Sequence, residues 1–304
     1  MDVSKLMFRE GLMDGDRVLV TGGGTGLGRE MAEAFLKLGA TVYICGRRQN
    51  KLDETATELM EKHGGPKGNK IVGMACDIRD PDAIHAMVDA IWADGGALTG
   101  VVNNAAGNFI SRTEDLSVNG FNAIADIVMR GTFYVTLDIG KRLIAEGKKA
   151  SFISILTTWV WSGSAFVVPS AMSKTAINAM TQSLATEWGR YGLRFNAIAP
   201  GLFPTKGMSA RLNPGSGGDN SKNDLNPMGR AGEMHEMGNL AVFLMASGAE
   251  YVNGQTIAID GAGYQANGGT FYPQLQGLGD AEWDMMRQMI KGTNAKDKAD
   301  RTTG

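Results

Sequence analysis

The sequence predicts a single α/β domain in which a seven-stranded parallel sheet is doubly wound, with helices on both faces. Short apolar runs of strand length alternate with longer segments whose apolar residues recur three and four apart. No Pro-, Gly- or Ser-rich linker divides that alternation, and 304 residues, 43% of them hydrophobic, can close a full core without metals or disulfides. Strand followed by helix, repeated, requires crossover connections and therefore parallel strands buried on both faces.

The strands expected are Arg17–Thr21, Thr41–Cys45, Ile71–Ala75, Val101–Asn103, Ala150–Ile155, Arg194–Ala199 and Gln255–Ile259. The helical segments between them are Gly26–Leu38, Leu52–Lys62, Asp82–Trp92, Gly120–Glu146, Ser170–Tyr191 and Glu233–Ser247. Asn213–Pro227, rich in Gly, Asn, Ser and Pro, reads as a loop. After Gly263 the chain turns Gly- and Asn-rich before a helical stretch at Asp280–Lys291. The expected division is a catalytic domain over 1–263 and a C-terminal extension over 264–304, packed on the domain or on a neighbouring subunit.

Charge and composition narrow the partner. A formal net charge of −2 leaves no electrostatic footprint for nucleic acid, and no apolar run approaches the ~20 residues that cross a bilayer. Cys45 and Cys76 are the only cysteines, too few for a disulfide scaffold, and the opening MDVSKLMFRE has no apolar secretory core. The expectation is a cytoplasmic protein acting on a small molecule.

An informative local pattern is Thr21-Gly22-Gly23-Gly24-Thr25-Gly26-Leu27-Gly28, placed between the first strand and the first helix. Glycines in that context let a pyrophosphate approach backbone N–H groups at a helix N-terminus, where the dipole favours negative charge. This makes the fold Rossmann-type. NAD sites place an acid at the end of the second strand for the ribose 2′-hydroxyl. Here Cys45-Gly46-Arg47-Arg48 stands instead, and two guanidinium groups suit the 2′-phosphate of NADPH.

From Thr21 to about Gly263 the order of motifs resembles the short-chain dehydrogenase/reductases. The resemblance implies cofactor contacts from Gly22, Gly24, Thr25, Gly26 and Leu27, from Arg47 and Arg48, and from Asp77 and Ile78 at the adenine. It further implies Asn103 beside the ribose, and Pro200, Gly201 and Thr205 at the nicotinamide carboxamide. The family's catalytic tyrosine, four residues before Lys174, is replaced by Ser170. Thr157 holds the family's serine position, and Val128 stands where asparagine is common. Without the phenol, ordinary alcohol/ketone chemistry loses its acid–base group.

One branch of the family has Ser-x-x-x-Lys at this place, the 2,4-dienoyl-CoA reductases. NNAAGNFI (Asn103–Ile110), Asp126-Ile127-Val128, GSAFVVPS (Gly163–Ser170) and Thr205-Lys206-Gly207 resemble that branch closely. The implied reaction delivers hydride from NADPH to C5 of a 2,4-dienoyl thioester and then protonates the dienolate. By resemblance, Asn108 donates to the thioester oxygen, Lys174 binds the nicotinamide ribose, and Ser170 lies near the cofactor. Phe109 and Arg211 would meet an acyl-CoA, with Arg79 and Lys206 as further cations for its phosphates.

Each residue also has a plainer reading. Asn108 beside Gly107 suits a turn, Ser170 suits a helix N-cap, and Lys174 suits a solvated helix position. The branch carries a tyrosine eleven residues before the serine, whereas this chain has Trp159. An indole N–H can donate a hydrogen bond but offers no transferable proton near neutral pH, and Trp159 and Trp161 equally suit an apolar wall. A reductase of another conjugated or cyclic, steroid-like substrate, and a silent NADP(H)-binding protein, are the alternatives. The family commonly forms tetramers through helices like Gly120–Glu146 and Ser170–Tyr191, which implies a homo-oligomer.

Overall fold

The computed structural model describes residues 1–64, 68–205, 226–267, 271–275 and 277–302. Lys206, Arg211 and all but the last residues of the Asn213–Pro227 loop lie outside them. Seven strands, β1 (Arg17–Thr21), β2 (Thr41–Gly46), β3 (Ile71–Ala75), β4 (Gly100–Asn103), β5 (Ala150–Ile155), β6 (Leu193–Pro200) and β7 (Thr256–Ile259), form one sheet in the order β3-β2-β1-β4-β5-β6-β7. Every pairing is parallel, in register from Val18 opposite Val42 to Ile198 opposite Ile257.

The two-residue period of the strands sorts their side chains between two cores. Val18, Val20, Val42, Ile44, Val102 and Ile153 point to one face and meet α1 (Gly26–Lys37), α2 (Gln49–His63) and α8 (Met234–Met245). Leu19, Tyr43, Cys45, Val101 and Phe152 point to the other. There they meet α3 (Pro81–Gly95), α5 (Thr132–Ala145) and α7 (Val168–Glu187). Both faces are therefore covered, as the unbroken apolar strands require.

The segment read as one helix from Gly120 is interrupted. Helix α4 (Val118–Ala125), capped by Ser117 Oγ on the Gly120 N–H at 3.0 Å, passes through a π-turn at Asp126–Gly131 into α5. Such turns carry one extra residue and are frequent at functional sites. Helix α7 also starts earlier than expected, at Val168 with Val167 as N-cap, so Ser170 is a buried residue of its first turn and not the cap. The short helix α6 (Trp159–Ser162) precedes it.

The tail forms α9 (Gly263–Asn267), α10 (Tyr272–Leu275) and α11 (Asp280–Thr302), the last running well past the expected Lys291. Leu275, Trp283 and Ile290 are buried against Ile110 and Val167, with Phe109, Trp159, Phe166, Phe271, Leu278 and Met286 around them. No described helix is long and apolar enough to cross a membrane.

Candidate active site

In a doubly wound sheet the ligand crevice opens beyond the carboxyl ends of the strands, where the strand order reverses. That point is the gap between β1 and β4, and the loops that leave these two strands are tied together. The Asn104 N–H donates to Thr21 Oγ1 at 3.0 Å, and Asn104 Nδ2 donates to the Thr21 and Gly22 carbonyls at 2.9 and 3.3 Å. Asn104, in the NNAAGNFI stretch, thus fixes the glycine turn against the β4 loop.

The turn is built for close approach. A Cβ on Gly28 would sit 2.4 Å from Asn104 Nδ2 and 2.5 Å from the Gly22 carbonyl oxygen, so no side chain fits. Gly26 has φ +57°, and its missing Cβ would point toward Thr205 Cγ2 at 3.7 Å. The glycine turn and Thr205 thus face each other across the crevice. The Thr55 hydroxyl, buried in α2, donates to the Gly24 carbonyl at 2.9 Å and holds the turn from behind. Helix α1 has no acid in its first turn and no side-chain cap on its N-cap Thr25, which suits an anionic pyrophosphate at its positive end.

At the end of β2, Arg47 is exposed and Arg48 half-buried as the N-cap of α2. Asp77 is gripped by Arg79, whose Nε lies 3.0 Å from each carboxylate oxygen and whose backbone N–H donates to Oδ1 at 3.1 Å. These bonds hold the Asp77 carboxyl below the usual carboxylate range, with Arg47 adding to the effect. Arg79, considered as a phosphate-binding cation, is therefore engaged in orienting Asp77. Ile78 is buried behind it, against Gly131 at the end of the π-turn.

Beyond β4 and β5 two buried polar atoms lack a partner among the described residues. Asn103 donates its amide to Thr136 Oγ1 at 3.0 Å, leaving its Oδ1 buried and unpaired, and Thr157 Oγ1 is likewise unpaired. Orphaned buried polar atoms call for a partner that a bound ligand can supply. Their placement at the crevice fits the hydroxyl-rich ribose of a dinucleotide. Pro200 ends β6, and Gly201 packs so closely on Asp260 that a Cβ would lie 2.6 Å from its side chain.

Lys174 is buried on α7, and its ammonium donates to the Ile155 carbonyl at the end of β5, two residues before Thr157. Burial pushes its pKa down to about 8. The reading of Lys174 as a solvated helix residue is thereby excluded. Ser170 is buried one turn earlier on the same helix. Val128, in the π-turn, is buried and supplies no polar group at the family's asparagine position.

Asn108 sits half-buried in the loop after β4 and accepts from the Phe109 N–H at 2.9 Å through Oδ1, while its amide nitrogen donates to no described residue. The turn role and a donor role are therefore compatible. Phe109 and Trp159 share an apolar cluster with the tail, Trp159 meeting Phe271 at 5.8 Å between ring centroids. The exposed Trp161 stacks on Tyr264 at 4.7 Å. Phe271 and Trp283 were missed as neighbours of the site, since only their aromatic character signals them.

A sequence profile described as enoyl-(acyl carrier protein) reductase matches residues 22–265. The crystal structure of a short chain dehydrogenase from Bacillus anthracis is 38% identical with a TM-score of 0.74, covering 83% of this chain and 98% of that one. This chain belongs to the short-chain dehydrogenase/reductase family. Within the short-chain reductases, a Caenorhabditis elegans protein named probable 2,4-dienoyl-CoA reductase [(3E)-enoyl-CoA-producing] is 42% identical, covering 96% of this chain and 95% of its own. A Bacillus subtilis protein named probable 2,4-dienoyl-CoA reductase [(2E)-enoyl-CoA-producing] is 34% identical, covering 82% and 96%. A Burkholderia cenocepacia gluconate 5-dehydrogenase solved in complex with NADP and tartrate is 27% identical, with a TM-score of 0.75 over 83% of this chain and 96% of that one.

Proposed function

We propose that this oxidoreductase is an NADPH-dependent 2,4-dienoyl-CoA reductase. The observation that carries the reading is the frame of Asn108, Ser170 and the buried Lys174 around the strand ends, with no tyrosine four residues before the lysine, in a chain 42% identical to a probable 2,4-dienoyl-CoA reductase. Bound NADPH would supply the hydride, to C5 of the diene, and the negative charge that results would be spread over the thioester oxygen, C2 and C4. Asn108 Nδ2 donates to that oxygen, because stabilising charge where it develops is usually the largest catalytic term. The Lys174 ammonium and the Thr157 hydroxyl hold the ribose end of the cofactor, with Ser170 beside them. Protonation at C2 yields the (3E)-enoyl thioester and at C4 the (2E) isomer. The more similar relative is named for the first outcome, so C2 is the expected site.

Trp159 packs on Phe271 and contributes no transferable proton, so solvent supplies the proton to C2. NADPH is favoured over NADH by Arg47 and Arg48 in place of an acid. Two free buried cysteines agree with a reducing, cytoplasmic setting. Exposed Phe133 on α5 and Met172 on α7 agree with a homotetramer built through those helices. Incubating the protein with NADPH and 2,4-hexadienoyl-CoA should consume cofactor and give the (3E)-enoyl product by NMR. No consumption across a chain-length series overturns the reading.

A further inference from the structure

The family profile ends at residue 265, yet the chain continues through 304. The nematode relative leaves only 4% of this chain outside its match, less than the length of 264–304, so most of the tail is shared with it. In the described structure the tail lies on two segments that carry residues of the proposed site. One is 108–116, which begins with Asn108. The other is 159–167, which begins with Trp159 and leads into Ser170.

The contacts are specific. Phe271 meets Trp159 with ring centroids 5.8 Å apart, and Trp283 meets Phe166 at 4.9 Å. Trp283 and Ile290 are buried, although α11 is otherwise largely polar, and Leu275 of α10 is buried with them. Phe166 has φ +64°, a left-handed conformation unfavourable for an aromatic residue and held by its surroundings. Its carbonyl accepts from the Ser111 N–H at 2.9 Å, joining the two loops under the tail. A charged clasp closes the rim: Arg112 bonds Asp115 and Asp280, each at 2.7 Å, and lies over the Trp283 ring, while Arg287 pairs with Asp115 and Asp284.

We propose that the C-terminal extension forms the outer wall of the acyl site, and that Phe271 and Trp283, through Trp159 and Phe166, determine which acyl chains the enzyme accepts. This rests on the reading of the substrate as an acyl thioester. An alkyl chain leaving the thioester beside Asn108 must pass Phe109 and Trp159, and the aromatic side chains behind those two come from the tail. An apolar wall discriminates by length and bulk, because each methylene that finds or loses a place changes binding by a constant factor. The wall is clasped by ion pairs at its exposed edge, where they fix geometry more than they add stability.

The test is made on the full chain with Phe271→Ala and Trp283→Ala, using Met285→Ala on the exposed side of α11 as control. Two quantities are read for acyl groups of six to sixteen carbons. These are kcat/KM for dienoyl-CoAs and the affinity of the NADP⁺ complex for saturated acyl-CoAs, measured by calorimetry. The expected result is a change of about tenfold or more in the long-to-short ratio for both tail variants, with the control matching the wild type. Phe271→Leu, which keeps the site filled, should return most of the original ratio. A merely structural tail would lower all chain lengths in parallel, and parallel curves with NADP⁺ binding intact overturn the proposal. Length-dependent binding without NADPH oxidation would strike only the proposed reaction; no acyl-CoA binding at all would overturn both.

Discussion

Replacing Lys174 by Met should make the protein more stable at neutral pH while removing its activity. The lysine is buried with one described acceptor, the Ile155 carbonyl, and its pKa stands near 8 against an ordinary 10.5. At 1.36 kcal/mol per unit, that displacement amounts to about 3 kcal/mol of folding stability withheld at pH 7. Methionine has similar length and no charge, so the substitution restores that amount. It also leaves the Ile155 carbonyl without its donor, which costs about 1–2 kcal/mol. The balance is a gain of about 1–2 kcal/mol at pH 7. The sign depends on pH. Between the two pKa values the unfolded chain binds the proton and the folded chain does not, so wild-type stability rises from pH 8 to 10.5, and above that the burial cost is gone. At pH 11 the lost hydrogen bond alone remains and the wild type is the more stable. Urea unfolding of both proteins at pH 7 and pH 11, with NADPH titration alongside, reads the effect. A difference that keeps one sign and size across that range refutes the assignment of Lys174 as a desolvated cation.

Further outcomes follow from the same geometry. Gly28→Ala places a Cβ 2.4 Å from Asn104 Nδ2 and should cost about 1–3 kcal/mol of stability together with dinucleotide affinity, read by thermal melts with and without NADPH. Arg48→Asp should weaken NADPH about tenfold to a hundredfold, as loss of a charged hydrogen bond does, and leave NADH binding level or tighter in fluorescence titrations. Asn108→Ala should reduce kcat on dienoyl-CoA by about 10²–10³, the usual loss for one donor to a developing oxyanion, with little change in NADPH affinity. Trp159→Tyr returns an ionisable hydroxyl to the site and should raise kcat about tenfold or more; an unchanged rate and an unchanged solvent isotope effect would count against solvent as the present proton source.

Much of the fold was legible because a parallel sheet buried on both faces leaves unbroken apolar runs such as Val18–Val20 and Val42–Cys45, and each proved to be a strand. The cofactor half of the site was equally legible, since glycines between a strand and a helix serve a backbone purpose that sequence displays directly. The start of α7 was misjudged because Ser170 after Pro169 has the composition of a cap, whereas the left-handed Phe166 sets the chain direction and lets the helix begin at Val168. The tail's position was illegible for a different reason. Its partners, Phe109, Trp159 and Phe166, stand more than a hundred residues earlier, and no local pattern in α11 points to them.

The π-turn at Asp126–Gly131 has a consequence for how this chain can change. One residue more than a regular helix requires sits there, and an α-helix advances about 100° per residue. The wider turn takes up that residue, so deleting one of the six would return the segment to ordinary helix and leave the helix after it in the same phase relative to α4. Val135, Ile139 and Leu143, all fully buried beneath the sheet, would keep their places, and the change would be confined to the side chains of the turn itself. The turn is therefore a place where Val128 and its neighbours can be re-aimed at the crevice by one residue gained or lost, without repacking the three core side chains that follow.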